Sequence, residues 1–319
     1  MEQVKPPLLI LCGPTASGKT ACAVRLAQRL HTEVVSCDSM QVYRGMDILS
    51  AKPTEAEMDG VVHHMIGVAD PSEPFSAAIY RDRALPVIHD LLKAGRLPVL
   101  CGGTGLYIDA LTRPMGFSVR SDPDLHARLM ARFSEPGGRE ALFAELQRVD
   151  PESAARLHMN DARRVTRALE VYRQTGQSLT ELNRLDAQRE GDFSEQLFAL
   201  RWPRDVLYDR INRRVDDMVR RGMIDEVRTV MAAGAGQTSC QALGYKEIAS
   251  ALRGEISMDE AIEQVKTGSR HYAKRQLTWF GRDRRVHWID AQGRGIDEIC
   301  DEILNIYHNN RGNEASIHG

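Results

Sequence analysis

Gly13-Pro14-Thr15-Ala16-Ser17-Gly18-Lys19-Thr20 is the segment whose residue types and spacing most directly imply chemistry. It fits G-x-x-x-x-G-K-[ST]: backbone amides wrap phosphate oxygens, glycines allow close approach, Lys19 adds a mobile charge, and the Thr20 hydroxyl can ligate Mg²⁺. Kinases, ATPases, GTPases and any enzyme that grips a pyrophosphate share this cradle, so the loop alone does not name its ligand. A carboxylate, Asp38, ends the run Val34-Val35-Ser36-Cys37. At that stage it can be a metal ligand, a general base or a helix cap.

The elements that position these groups follow from hydrophobic pattern and breakers. Leu8–Cys12, Glu33–Ser36, His63–Val68 and Pro98–Cys101 read as strands, and Thr20–Leu30 and Ser76–Lys93 as helices, the second kinked at Pro86. Alternation of this kind predicts a parallel sheet with helices on both faces. Arg113-Pro114-Met115-Gly116 breaks the pattern, and from Asp122 to Arg189 the chain is helical and polar. Strand character returns at Gln196–Leu200 and Val286–Ile289. The predicted architecture is an α/β, P-loop NTPase-like core with a parallel sheet, residues 1–114 and 196–308, interrupted by a mostly helical insertion at 115–195. Residues 309–319 are read as a frayed tail.

Composition bounds the reading. The 319 residues are 42% hydrophobic and 27% charged, with a formal net charge of −2. That describes a globular chain and excludes an indiscriminate binder of nucleic acid, though not one with a local basic groove. No apolar run is long enough to span a bilayer, and none has the form of a signal peptide, so a cytoplasmic protein without membrane contact is expected; a monomer is the expected state. The six cysteines form no C-x-x-C pair and are read as reduced, mostly buried thiols. Arginines are dense between Arg201 and Arg221, and basic residues between Arg270 and Arg285. A solvated helix face is the plain reading of such runs.

Taken in order, several segments resemble the tRNA dimethylallyltransferases, also called isopentenyltransferases, along nearly the whole chain. They are the P-loop; Asp38-Ser39-Met40-Gln41-Val42-Tyr43-Arg44-Gly45-Met46-Asp47; Ala51-Lys52-Pro53; His63-His64; Gly102-Gly103-Thr104-Gly105-Leu106-Tyr107; Arg163-Arg164 with Arg167-Ala168-Leu169-Glu170; Gly244-Tyr245-Lys246-Glu247; and Arg275-Gln276-Leu277-Thr278-Trp279-Phe280. The chain departs from that pattern at Leu49-Ser50, where Gly-Thr is expected, and at Gly281, where arginine is expected and Arg282 can substitute. The resemblance implies transfer of a five-carbon group from dimethylallyl pyrophosphate to the exocyclic amine of an adenine 3′-adjacent to the anticodon. It also implies release of pyrophosphate with Mg²⁺, and a helical insertion that grips the anticodon stem-loop of tRNA.

Roles follow in part from chemistry and in part from the resemblance. A base amine is a weak nucleophile and needs a proton acceptor, the role the resemblance gives Asp38. Lys19, the loop amides and Thr104 are candidates to meet charge on the leaving pyrophosphate. Arg210 and Arg214, at i and i+4, can clamp phosphates together, with Arg220 a weaker option. For RNA, the assigned residues are Asp38, Ser39, Met40 and Gln41, then Ala162, Arg163, Arg164, Val165, Thr166 and Arg167. Tyr245, Lys246, Lys274, Arg275 and Gln276 complete the set. Trp279 is expected in the core, and His63-His64 are read as hydrogen-bonding core residues rather than metal ligands. The rival readings are a P-loop small-molecule or nucleotide kinase, a prenyltransferase acting on free adenylate, and a non-catalytic RNA-binding module.

Overall fold

The computed structural model describes residues 5–114 and 119–317. Its first strand, β1 (Pro7–Cys12), is buried along nearly its whole length, as a central parallel strand covered on both faces must be. Next come α1 (Lys19–Arg29), β2 (Val34–Ser36), α2 (Glu55–Met58), β3 (His63–His64), α3 (Ala77–Lys93), β4 (Val99–Cys101) and α4 (Gly105–Thr112). The second half of the sheet comes from β5 (Ser194–Arg201) and β6 (Val286–Asp290). The helices α5 (Pro123–Ser134), α6 (Gly138–Val149), α7 (Pro151–Arg156), α8 (Ala162–Thr175) and α9 (Leu179–Ala187) precede β5 in the chain. Between β5 and β6 lie α10 (Arg204–Arg220), α11 (Met223–Ala233), α12 (Tyr245–Leu252) and α13 (Met258–Gly281), and α14 (Ile296–Ile317) follows β6.

The six strands run in the order β3-β2-β4-β1-β5-β6, every pair parallel. Their carboxyl ends therefore lie along one edge, and β2, β4 and β1 are neighbours there. In a sheet of this kind that edge is where ligands bind. Leu9, Leu11, Val34, Val99, Phe198, Leu200 and Ile289 form the sheet's contribution to a core shared with α1 and α14. Cys22 on α1 and Cys300 on α14 meet there as thiols, 3.6 Å apart, and no cysteine is in a disulfide.

The chain divides into two units, Met1–Ile108 with Phe193–Gly319, and Asp109–Asp192. The second has its own core of Leu129, Leu142, Leu146, Val165 and Leu169. The starts of α5, α7, α8 and α9 are capped by Asp122, Asp150, Asp161 and Ser178, each side chain accepting from a first-turn amide.

Three sequence expectations are corrected. Residues 193–195 belong to the sheet unit, because Ser194 pairs with Pro7 at the start of β5. The strand read at His63–Val68 stops at His64, because the backbone turns through positive φ at Met65 and Gly67. The tail read as frayed from residue 309 continues α14 through Ile317. The helix break read at Arg113-Pro114-Met115-Gly116 falls partly on residues 115–118, outside the described residues, and α4 ends at Thr112. Pro86 lies within α3, which runs through it as one element.

Candidate active site

The P-loop leaves β1 and enters α1 through left-handed backbone at Gly13, Ala16 and Gly18. Its carbonyls are held from the loop's own side chain, from helix α10 and from Trp202 just after β5. Lys19 Nζ donates to the Pro14 carbonyl at 2.5 Å, Arg210 Nε to Ala16 at 2.8 Å, and Trp202 Nε1 to Ser17 at 2.9 Å. Carbonyls pinned by cations and an indole leave the first-turn amides of α1, which have no partner within the helix, free to meet an anion. Burial, against the opposing pull of Cys101 and Asp38 and with a smaller contribution from the Arg214 charge, pushes the Lys19 ammonium down to about 8. A bound polyanion further favours the charged form.

Arg214 donates to Thr15 Oγ1 at 2.9 Å and lines a cavity of about 220 Å³ shared with Lys19, Thr20, Asp38 and Tyr272. Arg210 does not line it. Its Nε is committed to Ala16, and its guanidinium lies 4.3 Å from the centroid of the Trp202 ring. The paired clamp read from their i, i+4 spacing is thus corrected: Arg214 faces the cavity and Arg210 braces the loop. Arg220 forms an exposed pair with Asp217 and is no part of the site.

Asp38 leaves the carboxyl end of β2. Its Oδ1 accepts from Met40 N at 2.9 Å and Gln41 N at 3.3 Å, which closes the turn. The other oxygen has no protein hydrogen bond among the described residues. One carboxylate therefore both caps a turn and keeps an acceptor for the cavity that it lines. Gln41 Oε1 accepts from Ser36 Oγ and its Nε2 donates to Ala51, so it is held in the same loop. Thr104, after β4, ties this turn down. Its Oγ1 accepts from Ser39 N at 3.0 Å and its amide donates to the Cys37 carbonyl at 3.1 Å. Gly102 and Gly103 are required here by close approach. A Cβ on Gly102 would lie 2.2 Å from Cys37 O, and one on Gly103 would lie 2.0 Å from Gln276 Nε2.

Gln276 is the largest correction. Expected at an RNA surface, it is 5% exposed. Its Oε1 accepts from Thr15 N at 2.8 Å and its Nε2 donates to Gly103 O at 2.9 Å, so it bridges the loops after β1 and β4. Trp279, expected in the core, is 46% exposed and packs against Gly105, while Phe280 is the buried ring. Val165 and Thr166 are fully buried in the helical unit's core and cannot touch RNA through their side chains. Arg163 is exposed, and Arg164 is exposed beside Asp161. Arg167 turns inward to the buried Glu170, 3.1 Å away. Ala162 and Tyr245 are half-buried, and Lys246, Lys274 and Arg275 are exposed. His63 and His64 are half-buried on β3 and hydrogen-bond Val61 O and Glu33.

Tyr272 was not anticipated. Burial, then the Asp38 charge, pushes its phenol up, so it is a neutral hydroxyl, with Thr104 and Gln276 nearby. The signal was present as spacing: Val265, Ser269, Tyr272 and Gln276 share one face of α13, and all line the cavity. The cavity also has an apolar part, formed by Leu49, Val215, Met218, Leu243 and Val265.

A phosphate loop, a carboxylate with an open oxygen and an apolar recess in one cavity define a P-loop enzyme for transfer of an apolar group from a phosphate ester. Comparison with known proteins makes this specific. Residues 41–284 match the IPP transferase family model and residues 6–68 that of isopentenyl transferase. The tRNA dimethylallyltransferase of Halalkalibacterium halodurans is 47% identical over 304 residues, 95% of this chain and 96% of that protein. The crystal structure of the Bacillus halodurans tRNA isopentenylpyrophosphate transferase superposes with a TM-score of 0.74 at 44% identity, covering 98% of this chain and 99% of that one. A eukaryotic dimethylallyltransferase caught acting on tRNA gives a TM-score of 0.78 at 27% identity, over 90% of this chain and 74% of that one. The chain belongs to the IPP transferase family.

Proposed function

We propose that this enzyme transfers the dimethylallyl group of dimethylallyl pyrophosphate to the exocyclic amine of the adenine 3′-adjacent to the anticodon in tRNA. The observation that carries this reading is the convergence, at the carboxyl ends of β1, β2 and β4, of the P-loop, Asp38 and the Gly102-Gly103 turn around a cavity with an apolar recess. As the amine nitrogen bonds to the donor's first carbon, the carbon–oxygen bond to pyrophosphate breaks and the electron pair leaves with pyrophosphate. The open oxygen of Asp38 takes the amine proton. Lys19, Arg214 and the amides opening α1 neutralise the leaving group, and Thr104, through its hydrogen bonds to Ser39, holds the Asp38 turn in place for the reaction.

Mg²⁺ fits the donor set. Thr20 lines the cavity at the start of α1, and no group of three or more acidic, His or Cys side chains able to hold a metal occurs among the described residues. An ion that keeps most of its waters needs only Thr20 and pyrophosphate oxygens. When bound, it would neutralise charge on the pyrophosphate. Exposed Arg163, Arg164, Lys246, Lys274 and Arg275 supply cations for the anticodon stem-loop of tRNA.

Titration calorimetry of the thio-analogue of dimethylallyl pyrophosphate against ATP tests the donor assignment. The analogue binds more tightly when tRNA is present, and Lys19→Ala loses donor affinity and turnover together. Tighter binding of ATP, with a requirement for its hydrolysis, would return a kinase-like reading to first place.

A further inference from the structure

The cavity changes character along its length, and two helices measure the change. On α13, Gln276 is bonded to the P-loop, while Val265, on the same cavity-facing stripe, lies about three turns back, ~16 Å away at ~1.5 Å per residue. On α10, Arg214 touches Thr15, and Met218 lies about one turn beyond it. The end away from the P-loop is therefore the apolar one.

Leu49 is a tightly seated residue of that end wall. It is 4% exposed, and its Cδ1 lies 3.1 Å from where a Cβ on Gly244 would stand, with both Val265 methyls 3.5 Å from the same point. Gly244 adopts a φ of +94°, which L side chains rarely take, so the wall there is supplied by Leu49 and Val265. The loop carrying Leu49 is fixed from outside. Glu226 on α11 accepts from Leu49 N at 2.7 Å and from Asp47 N and Ile48 N at 2.8 Å each. Three amides on one carboxylate hold this backbone against displacement by a ligand.

We propose that Leu49, packed with Val265 and held by Glu226, limits the donor's hydrocarbon tail to a single five-carbon unit. The inference rests on the donor reading above. Geranyl pyrophosphate has the same charged head and the same kind of reacting carbon, and differs by a second five-carbon unit at the tail. Selection between the two donors is then made at the apolar end. Hydrophobic pockets discriminate about 10–200-fold per methylene, so one leucine is enough to matter.

The test is kcat/KM for both donors with tRNA in the wild type, Leu49→Ala and Val265→Ala, with melting temperatures recorded. The wild type favours dimethylallyl pyrophosphate, and each alanine variant shifts the ratio toward the geranyl donor by about 10-fold or more. Leu49→Met, which refills the space, restores the wild-type ratio. Should Leu49→Ala not fold, Leu49→Val gives a smaller shift in the same direction. An unchanged ratio in folded variants, or an equal loss with both donors, overturns the proposal. A wild type that transfers from neither donor sinks the donor reading itself, and this inference with it.

Discussion

Replacing Gln276 tests whether the two phosphate-side loops are assembled from behind by a buried amide. Gln276→Leu keeps the side-chain volume and removes both bonds, leaving Thr15 N–H and Gly103 C=O without partners. A buried polar group left unsatisfied costs about 1–3 kcal/mol. The Thr15 end is only partly buried and water can reach it, whereas the Gly103 end is buried, so the expected loss is about 2–4 kcal/mol. For a unit of this size that lowers the melting temperature by roughly 5–15 °C. Donor affinity falls as well, because the loop carrying Lys19 loses its tether to β4. Gln276→Glu separates bond loss from shape. One carboxyl oxygen can still accept from Thr15, but the other faces a carbonyl oxygen and must carry a proton. Burial raises the pKa of such a carboxyl, so the variant works at acidic pH and loses activity as the group ionises. Calorimetric melting, donor titration and a pH profile of kcat/KM report the three effects. Unchanged stability and donor affinity in Gln276→Leu, with weaker tRNA binding, would refute the reasoning and return Gln276 to an RNA surface.

Asp38→Ala removes the proton acceptor and should lower turnover about 10²–10⁴-fold with little change in tRNA affinity, as single-turnover kinetics and filter binding would show. Near-normal turnover would reduce Asp38 to a turn cap. Substituting exposed Arg163 and Arg164 with glutamine should weaken tRNA binding and reduce the slope of log K against log salt by about one to two, leaving donor binding intact. A slope equal to the wild type's would mean that these arginines meet no phosphate. Asp150 and Glu170 predict acid lability of the helical unit. Burial alone would raise both carboxyls, but hydrogen bonds from Thr180 and Ser153 to Asp150, and from Ser121 and Arg167 to Glu170, hold them below 3.8 and 4.5. Because the folded pKa lies below the unfolded one, this stabilisation is present above those values and is lost as pH falls through the folded pKa. Hydrogen-exchange protection factors in residues 122–187 should therefore fall as pH drops below the ordinary carboxylate range, and less so in Asp150→Asn, whose side chain does not titrate.

The parts of the site encoded by contiguous residues were legible. The P-loop glycines, the strand leading to Asp38 and the Gly102-Gly103-Thr104 turn each carry their geometry locally, in φ requirements, apolar runs and close approaches. What escaped depends on partners distant in sequence. Gln276 sits in a basic, aromatic stretch that reads as an RNA face, and only the P-loop, 261 residues away, supplies the amide that draws it inward. Trp279 and Phe280 are adjacent apolar rings on one helix, and composition cannot say which faces out. Val165 and Thr166 lie among arginines, yet the 3.6-residue period turns them into the core while Arg163 and Arg164 face solvent. Glu226 carries no motif at all, since a lone carboxylate in a helix reads as surface until the loop it caps is known.

The central claim is tested most directly by incubating the purified protein with unmodified tRNA, dimethylallyl pyrophosphate and Mg²⁺, without nucleotide triphosphate, and analysing the digested nucleosides by mass spectrometry. The account predicts one new adenosine derivative, heavier by a dimethylallyl group in place of a hydrogen, mapping 3′ of the anticodon and absent with Asp38→Ala. Unmodified adenosine at that position, or a product formed only when ATP is supplied and hydrolysed, would contradict it.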